Sequence, residues 1–409
     1  MNLSYFSSTP GIGGQLKTTS EDFAVEEITK NGTIFEIDKD VKTDNKESES
    51  KGEFLHFVLQ KDNWATADAI KEIAKALHTT PKRFNFAGTK DKKALTTQLV
   101  SCFGLEREKL DNIKIKDITI LGSWYAREKI DLGDLLGNRF KIRVEGADKN
   151  SDKIVSKIYK ELDGKFPNYF GEQRFGSTRK NTHIIGEKIL KRQFKEAVLD
   201  FLCNSEGEEN KEASLARKEL ADTFDYTQAL KNFPHYLRLE RTVIAELEKN
   251  SNGYINALKQ LPRPTLLMFV HAFQSHLFNR MLSHRIENGV VKIETEEYYC
   301  KENKYGFPDI NQKSESKTDW IAGKLIGYDN VLNAEEKAML KEFNISQEDF
   351  KIRSIPEINS KGGFRTLFAP LKDFAFDSKN NVFAFSLQSG SYATTALREF
   401  INQKPKRND

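Results

Sequence analysis

The chain has 409 residues, 38% of them hydrophobic and 30% charged, with 64 basic against 60 acidic side chains and a formal charge of +4. That is room for two domains of ordinary size, with 29 Phe to fill cores and wall pockets, and a charge so near neutral that any nucleic-acid-binding surface must be local. Residues 1–14 lack an apolar signal-peptide core, the apolar run near 266–273 is too short to span a bilayer, and Cys102, Cys203 and Cys300 form no CxxC pair or disulfide framework, which together predict a reduced, cytoplasmic setting.

In chain order, Phe23, Val25 and Glu27 alternate with Asp22, Ala24 and Glu26, predicting a strand over 16–28 with a hairpin partner at 32–38. The charged, unpatterned stretch 42–52 reads as a flexible surface loop, and 54–59 as the next strand. Thr66 is the expected N-cap of a helix to residue 77, with Ile70, Ile73, Ala74 and Leu77 on one face. Pro81 follows its end.

Residues 84–98 (FNFAGTKDKKALTTQ) then read as a loop before a strand over 96–103, and loops on ordered scaffolds carry function. Asp91 is the one carboxylate there, flanked by Lys90, Lys92 and Lys93. Neighbouring cations favour an ionised carboxylate, which suits a nucleophile or electrostatic stabiliser better than a general acid. Chemistry alone leaves a solvated turn with internally paired charges as the alternative.

The cleanest strand pattern is 137–144, with Phe140, Ile142 and Val144 on one face and Arg139, Lys141 and Arg143 on the other. The basic face suits phosphates, or plain solvation. Residues 148–152 resemble a calcium loop but fail it, since Lys153 replaces the required Gly and Tyr159 the bidentate Glu; a helix through Leu162 is expected instead. The PNYFGEQRFG stretch at 167–176 places Arg174 to bind a phosphate or carboxylate, or to brace its own loop. Further on, 184–202 is helix-patterned, 204–214 a solvated connector, and 265–287 a long helix with a wide apolar face. His271, His276 and His284 match no zinc spacing and read as structural or surface histidines. The Lys/Glu-rich stretch 293–317 has no clear pattern. Short helices are expected at 334–343 and 346–350, a hairpin at 371–376 and 382–387, and a last helix capped by Ser391 with a disordered tail over 403–409.

Several of these segments together resemble the tRNA pseudouridine synthase D (TruD) family, in its archaeal and eukaryotic-like branch. AGTKDKKALTTQ at 87–98 is similar to the family's AGxKDxxAxTxQ signature, EDFAVEE at 21–27 to EDFxVxE, and GNRF at 137–140 to GNxF. PNYFGEQRFG is similar to PNYFGxQRFG, FQSHLFN at 273–279 to xxSxLFN, and LQSGSYAT at 387–394 to LPxGS[YF]AT, with Gln388 in place of the usual Pro. Gly362-Gly363-Phe364-Arg365 resembles a Gly-Phe-Arg feature of the same branch. The resemblance implies an α+β fold: a pseudouridine-synthase catalytic domain with a mixed, mostly antiparallel sheet, formed by 1–164 and 368–409 and interrupted by an inserted α/β domain over 165–367, with RNA in a cleft between the lobes.

It further implies a cofactor-free, metal-free isomerase that converts a uridine of tRNA, commonly uridine 13, to pseudouridine. Uridine 35 of a tyrosine tRNA and messenger sites are targets in some branches. Asp91 takes the catalytic role, at the sugar C1′ or on the C2′ proton. Asn138 orients it, Phe140 stacks on the extruded base, Phe23 and Tyr392 wall the pocket, and Lys17 and Lys90 supply positive potential. Arg174, Arg139, Lys141 and Arg143 are candidate RNA contacts. The implied partner is tRNA or other RNA, with no membrane and no obligatory protein partner. Two other classes share these residues: a non-catalytic RNA-binding protein or tRNA chaperone, and a carboxylate-based N-glycoside hydrolase, which needs a second carboxylate such as Glu26 or Glu27 to activate water.

Overall fold

A computed structural model describes residues 3–41, 52–289, 298–317 and 319–402. Most of the expected 42–52 loop, the whole 403–409 tail and part of the 293–317 stretch lie outside the described residues. The chain forms two compact units, one from Phe6–Pro167, Glu302–Phe307 and Ala369–Asp409, the other from Met1–Tyr5, Asn168–Lys301 and Pro308–Phe368.

The first unit opens with β1 (Phe23–Thr29), β2 (Phe54–Asp62), α1 (Thr66–Ala76), β3 (Phe84–Phe86), β4 (Leu95–Phe103), α2 (Arg107–Asp111), β5 (Ile118–Ala126), β6 (Leu135–Arg143), α3 (Ser151–Leu162) and β7 (Lys165–Pro167). The second holds α4 (Thr182–Leu190), α5 (Phe194–Cys203), α6 (Lys211–Thr223), α7 (Tyr226–Asn232), α8 (Arg238–Lys249), α9 (Tyr254–Lys259), α10 (Arg263–Glu287), β8 (Tyr298–Glu302), β9 (Pro308–Ser314), β10 (Trp320–Leu325), α11 (Ala334–Glu342) and β11 (Gly363–Thr366). The chain closes with β12 (Phe368–Pro370), β13 (Lys372–Asp377), β14 (Val382–Gln388) and α12 (Ala393–Ile401).

One mixed sheet organises the first unit, in the order β13-β14-β6-β1-β4-β2-β5, with β3 paired to β4. The pair β1–β4 is parallel and its other ladders are antiparallel, as the α+β expectation required. Strand alternation feeds two cores. Phe23, Val25, Phe140, Ile142, Phe383 and Phe385 pack with Ile158 and Leu162 of α3 and Leu397 and Phe400 of α12. Leu55, Phe57, Leu59 and Val100 pack with Ile70 and Ile73 of α1. Burying such side chains is the main driving force for assembling the sheet.

Three local expectations are corrected. Segment 32–38 is not a hairpin strand: beyond the isolated bridge Ile28–Ile34 it is held by side chains. Glu26 accepts from Ile37 N at 3.0 Å, Gln60 accepts from Asp38 N at 2.8 Å, and Thr97 donates its hydroxyl to Phe35 O. These bonds satisfy the backbone that a ladder would otherwise serve. Thr66 is the first residue of α1 and caps nothing, because its hydroxyl is used elsewhere. Tyr392, rather than Ser391, occupies the N-cap of α12, without a side-chain cap bond.

In the second unit the pattern over 184–202 breaks into α4 and α5. Arg192 takes a left-handed φ of 63° and its guanidinium bonds the Leu190 carbonyl at 2.7 Å, ending α4. The expected connector 204–214 shortens, because α6 begins at Lys211 under an Asn210 cap. Helix α10 runs through this unit's core, burying Leu266, Phe269, Val270, Phe273, Leu277 and Phe278. Strands β11-β10-β8-β9 form a separate four-stranded sheet.

Candidate active site

Asp91 lies in the loop between β3 and β4, and side chains from three elements hold that loop. Gln98 of β4 donates to Gly88 O at 3.2 Å, Thr66 of α1 accepts from Lys90 N at 2.9 Å and donates to Gln98 Oε1 at 2.8 Å, and Lys61 of β2 donates to Asp91 O at 2.9 Å. The Gln at the end of the AGTKDKKALTTQ stretch is thus a buried brace for its beginning. Parallel pairing of Ala24 with Leu95 and Val25 with Thr96 seats the end of the loop against the start of β1.

The Asp91 side chain is one-third exposed and its Oδ2 pairs with the Lys17 ammonium. Lys17 also lies over the Phe23 ring, 4.1 Å from its centroid, a cation–π contact. Phe23 in turn meets Phe140 edge-on, with centroids 6.2 Å apart and planes at 71°. Phe140 is largely buried, with Phe385 of β14 on its other side at 5.6 Å. On β6, Asn138 lies two residues before Phe140 and opposite Glu27 of β1. Glu27 accepts from Lys90 Nζ at 2.6 Å and from Leu99 N at 3.0 Å, in a pair almost wholly out of water. Lys90 is bonded in sequence to Asp91, so the circuit Asp91–Lys17–Phe23–Phe140–Asn138–Glu27–Lys90 closes through contacts, register and covalent neighbours.

Lys90 therefore spends its ammonium on Glu27, inside the protein. Asn138 Oδ1 is buried without a hydrogen-bond partner, an acceptor left open beside the aromatic pair. Gly137 before it is required by packing: a Cβ there would lie 2.0 Å from Leu387 O, across the β6–β14 ladder. Tyr392 stands half-buried where β14 hands over to α12. The basic face of β6 is partly committed. Arg139 bonds Glu26 and reaches Glu36 at 3.3 Å, Arg143 lies 3.6 Å from Asp22, and Lys141 is exposed.

In the second unit, Arg174 donates from Nε to Ser275 Oγ at 3.1 Å and lies 5.7 Å from the Phe170 ring centroid. Two of the quoted motifs meet here, since Asn279 accepts from Phe170 N at 2.8 Å and donates to Phe170 O at 2.9 Å. Arg365 adds bonds to Asn168 O at 2.8 Å and Asn168 Oδ1 at 2.7 Å. The PNYFGEQRFG segment is thus pinned to α10 and β11 by reciprocal side-chain bonds.

Sequence reasoning missed Lys61, Thr66, Gln98 and Glu27 as parts of this site. Glu27 and Gln98 fall within quoted motifs, and Thr66 is legible from the sequence only as a helix start. For Lys61 no sequence signal exists, because a lysine at a strand end ordinarily reads as solvated.

The family model described as tRNA pseudouridine synthase D (TruD) matches residues 2–400. A Methanocaldococcus jannaschii protein named tRNA pseudouridine synthase D 1 is 36% identical over 414 residues, covering 99% of both chains. A protein from Archaeoglobus fulgidus named tRNA pseudouridine synthase D is 35% identical and covers 97% of both. A crystal structure titled as a tRNA pseudouridine synthase D from Methanosarcina mazei superposes with a TM-score of 0.74 at 33% identity, covering 98% of this chain and 96% of that one. With model, relatives and structure each spanning nearly its full length, the chain belongs to the tRNA pseudouridine synthase D family.

Proposed function

We propose that this protein isomerises uridine 13 of tRNA to pseudouridine, in the cytoplasm, with Asp91 as the catalytic carboxylate. The observation that carries the reading is the carboxylate–ammonium–aromatic series Asp91–Lys17–Phe23–Phe140, partly open to solvent at Asp91. The unit built on the eight-stranded sheet supplies the chemistry, and the unit around α10 is the inserted domain.

The reaction breaks the N1–C1′ bond, turns the uracil and joins C5 to C1′; the C5 proton leaves and N1 gains one, so nothing enters or is lost overall. A base stacked in RNA is out of reach of Asp91, so it is first extruded, at a cost of a few kcal/mol that the pocket offsets. Phe23, under Lys17, and Phe140 are largely buried and form the aromatic wall on which the base seats, and the free Asn138 Oδ1 accepts a hydrogen bond. Asp91 then acts on the sugar while Lys17 balances its charge. The target position rests on the family resemblance alone.

The hydrolase alternative is disfavoured by the state of its required second carboxylate. Glu26 and Glu27 are both buried and engaged, by Arg139 and Lys90 respectively, and neither is placed to activate a water. The test is Asp91→Asn, assayed by pseudouridine mapping of tRNA and by tRNA binding. Loss of modification with binding kept supports the assignment; full activity would refute it, and binding without modification by the unaltered chain would favour the chaperone reading.

A further inference from the structure

The register of the large sheet places five residues in one cross-strand row. Phe385 of β14 faces Phe140 of β6, Phe140 faces Val25 of β1, Val25 pairs with Thr96 of β4, and Thr96 faces Lys61 of β2. Directly paired residues share a face of the pleat. Lys61 therefore projects on the side that carries Phe140, between the core under α1 and the core under α3 and α12. It is fully buried, and its ammonium bonds the backbone carbonyl of Asp91 at 2.9 Å. Lysine has three N–H donors, and among the described residues the remaining two find no acceptor. In the same row, Thr96 Oγ1 is also buried and unpaired, as is Oδ1 of the adjacent Asp62.

A buried ammonium with a single hydrogen bond is costly to fold and has no evident structural return. Such a group, set against the one residue whose position the chemistry depends on, reads as a functional device. We propose that Lys61 is a positioning residue for Asp91: its ammonium clamps the Asp91 carbonyl, fixing where the carboxylate points, and holds a positive charge beside it. This inference rests on the reading of Asp91 as the catalytic carboxylate.

The charged groups facing Lys61 are Asp91, Lys90 and Asp62. Lys17 lies beyond Asp91, and Glu27 neutralises Lys90. Burial pushes the Lys61 ammonium down to about 8, with Lys90 lowering it further and Asp91 and Asp62 opposing the shift. Above that pH the clamp loses its proton and charge, and the rate of modification falls.

The experiment is single-turnover pseudouridine formation on a tRNA transcript by the full chain, from pH 6 to 9.5, for the unaltered protein and for Lys61→Met. The unaltered rate is expected to fall above about pH 8. Lys61→Met is expected to be slower by about 10²-fold, the scale for a small misplacement of a reacting group. Its tRNA affinity should be retained, its melting temperature at pH 7 should be unchanged or higher, and its alkaline decline should be gone. A merely structural lysine would instead lower the melting temperature and leave the pH profile in place. A Lys61→Met rate within about twofold of the unaltered rate overturns the proposal, and so does an alkaline decline that persists in the variant. Should the variant not fold, a rate from the unaltered protein that stays flat to pH 9.5 also overturns it. An inactive Asp91→Asn beside a fully active Lys61→Met would remove this inference alone, whereas an active Asp91→Asn would remove the catalytic assignment beneath it.

Discussion

Lys17 touches both the Asp91 carboxylate and the face of Phe23, so one ammonium links the proposed catalytic group to the aromatic wall. It does so from a left-handed backbone, with φ of 60°, a conformation side-chain-bearing residues rarely adopt. The turn is held by the reciprocal bonds of Gln15 and Glu145, 2.8 and 3.1 Å long, just upstream. Strain of this kind, kept by a residue that meets a reactive group, is a common sign of function.

Lys17→Met should therefore separate activity from stability. The pair with Asp91 is part-exposed, so its loss should shift the unfolding free energy by no more than about 1 kcal/mol. Charge development near Asp91 would lose its preorganised partner, and the single-turnover rate should fall by about 10²–10³-fold. Urea denaturation and tRNA modification, measured on the same preparation, check both halves. A variant that unfolds more readily yet modifies tRNA normally would make Lys17 a scaffold residue.

The Lys90–Glu27 pair predicts the opposite separation. Both side chains are almost wholly buried, at 5% and 1% exposure, so removing one partner strands the other's charge. Lys90→Met should cost about 3–5 kcal/mol in urea denaturation. Glu27→Gln in the same chain should recover most of that loss, because a neutral amide oxygen can still accept from Leu99 N while no charge remains unpaired. If the double variant is no more stable than Lys90→Met alone, the pair is not the source of the cost.

How much of this was legible beforehand follows the physics of each signal. Strand β6 could be read because Phe140 and Ile142 alternate strictly with Arg139, Lys141 and Arg143 between a buried and a wetter face. The Asp91 loop could be read because its charges and Gly88 interrupt two apolar patterns. The 32–38 segment could not, since its alternation resembles a strand while the acceptors that hold it, Glu26 and Gln60, come from elsewhere in the chain. The break at Arg192 was hidden because helical periodicity runs on through it; only the left-handed turn and the guanidinium over the Leu190 carbonyl reveal the end of α4. Lys61 was hidden for a related reason. Its role depends on which residues lie opposite it across the strands from β2 to β14, and register is a tertiary property that a single sequence does not carry.

His276 gives a pH dependence that belongs to the second unit. Its ring stacks on His183 with centroids 4.7 Å apart and planes at 21°, and Phe175, Phe273 and Phe343 lie around it. Nδ1 of each histidine is buried without a partner. Burial pushes His276 down to about 3, and the neighbouring His183 and Arg280 push in the same direction. The folded protein therefore keeps this imidazole neutral while the unfolded chain takes up a proton below the ordinary value of 6.5. Stability must then be lost as pH falls through that value toward 3. Between pH 7 and 5 the loss attributable to His276 is about 2 kcal/mol. His276→Phe keeps a ring against the same aromatic neighbours and has no proton to gain, so its unfolding free energy should change less over this interval, by roughly that amount. Denaturation of both proteins at the two pH values measures the difference directly. Equal losses in the two would mean that His276 takes up its proton in the fold as readily as in the unfolded chain.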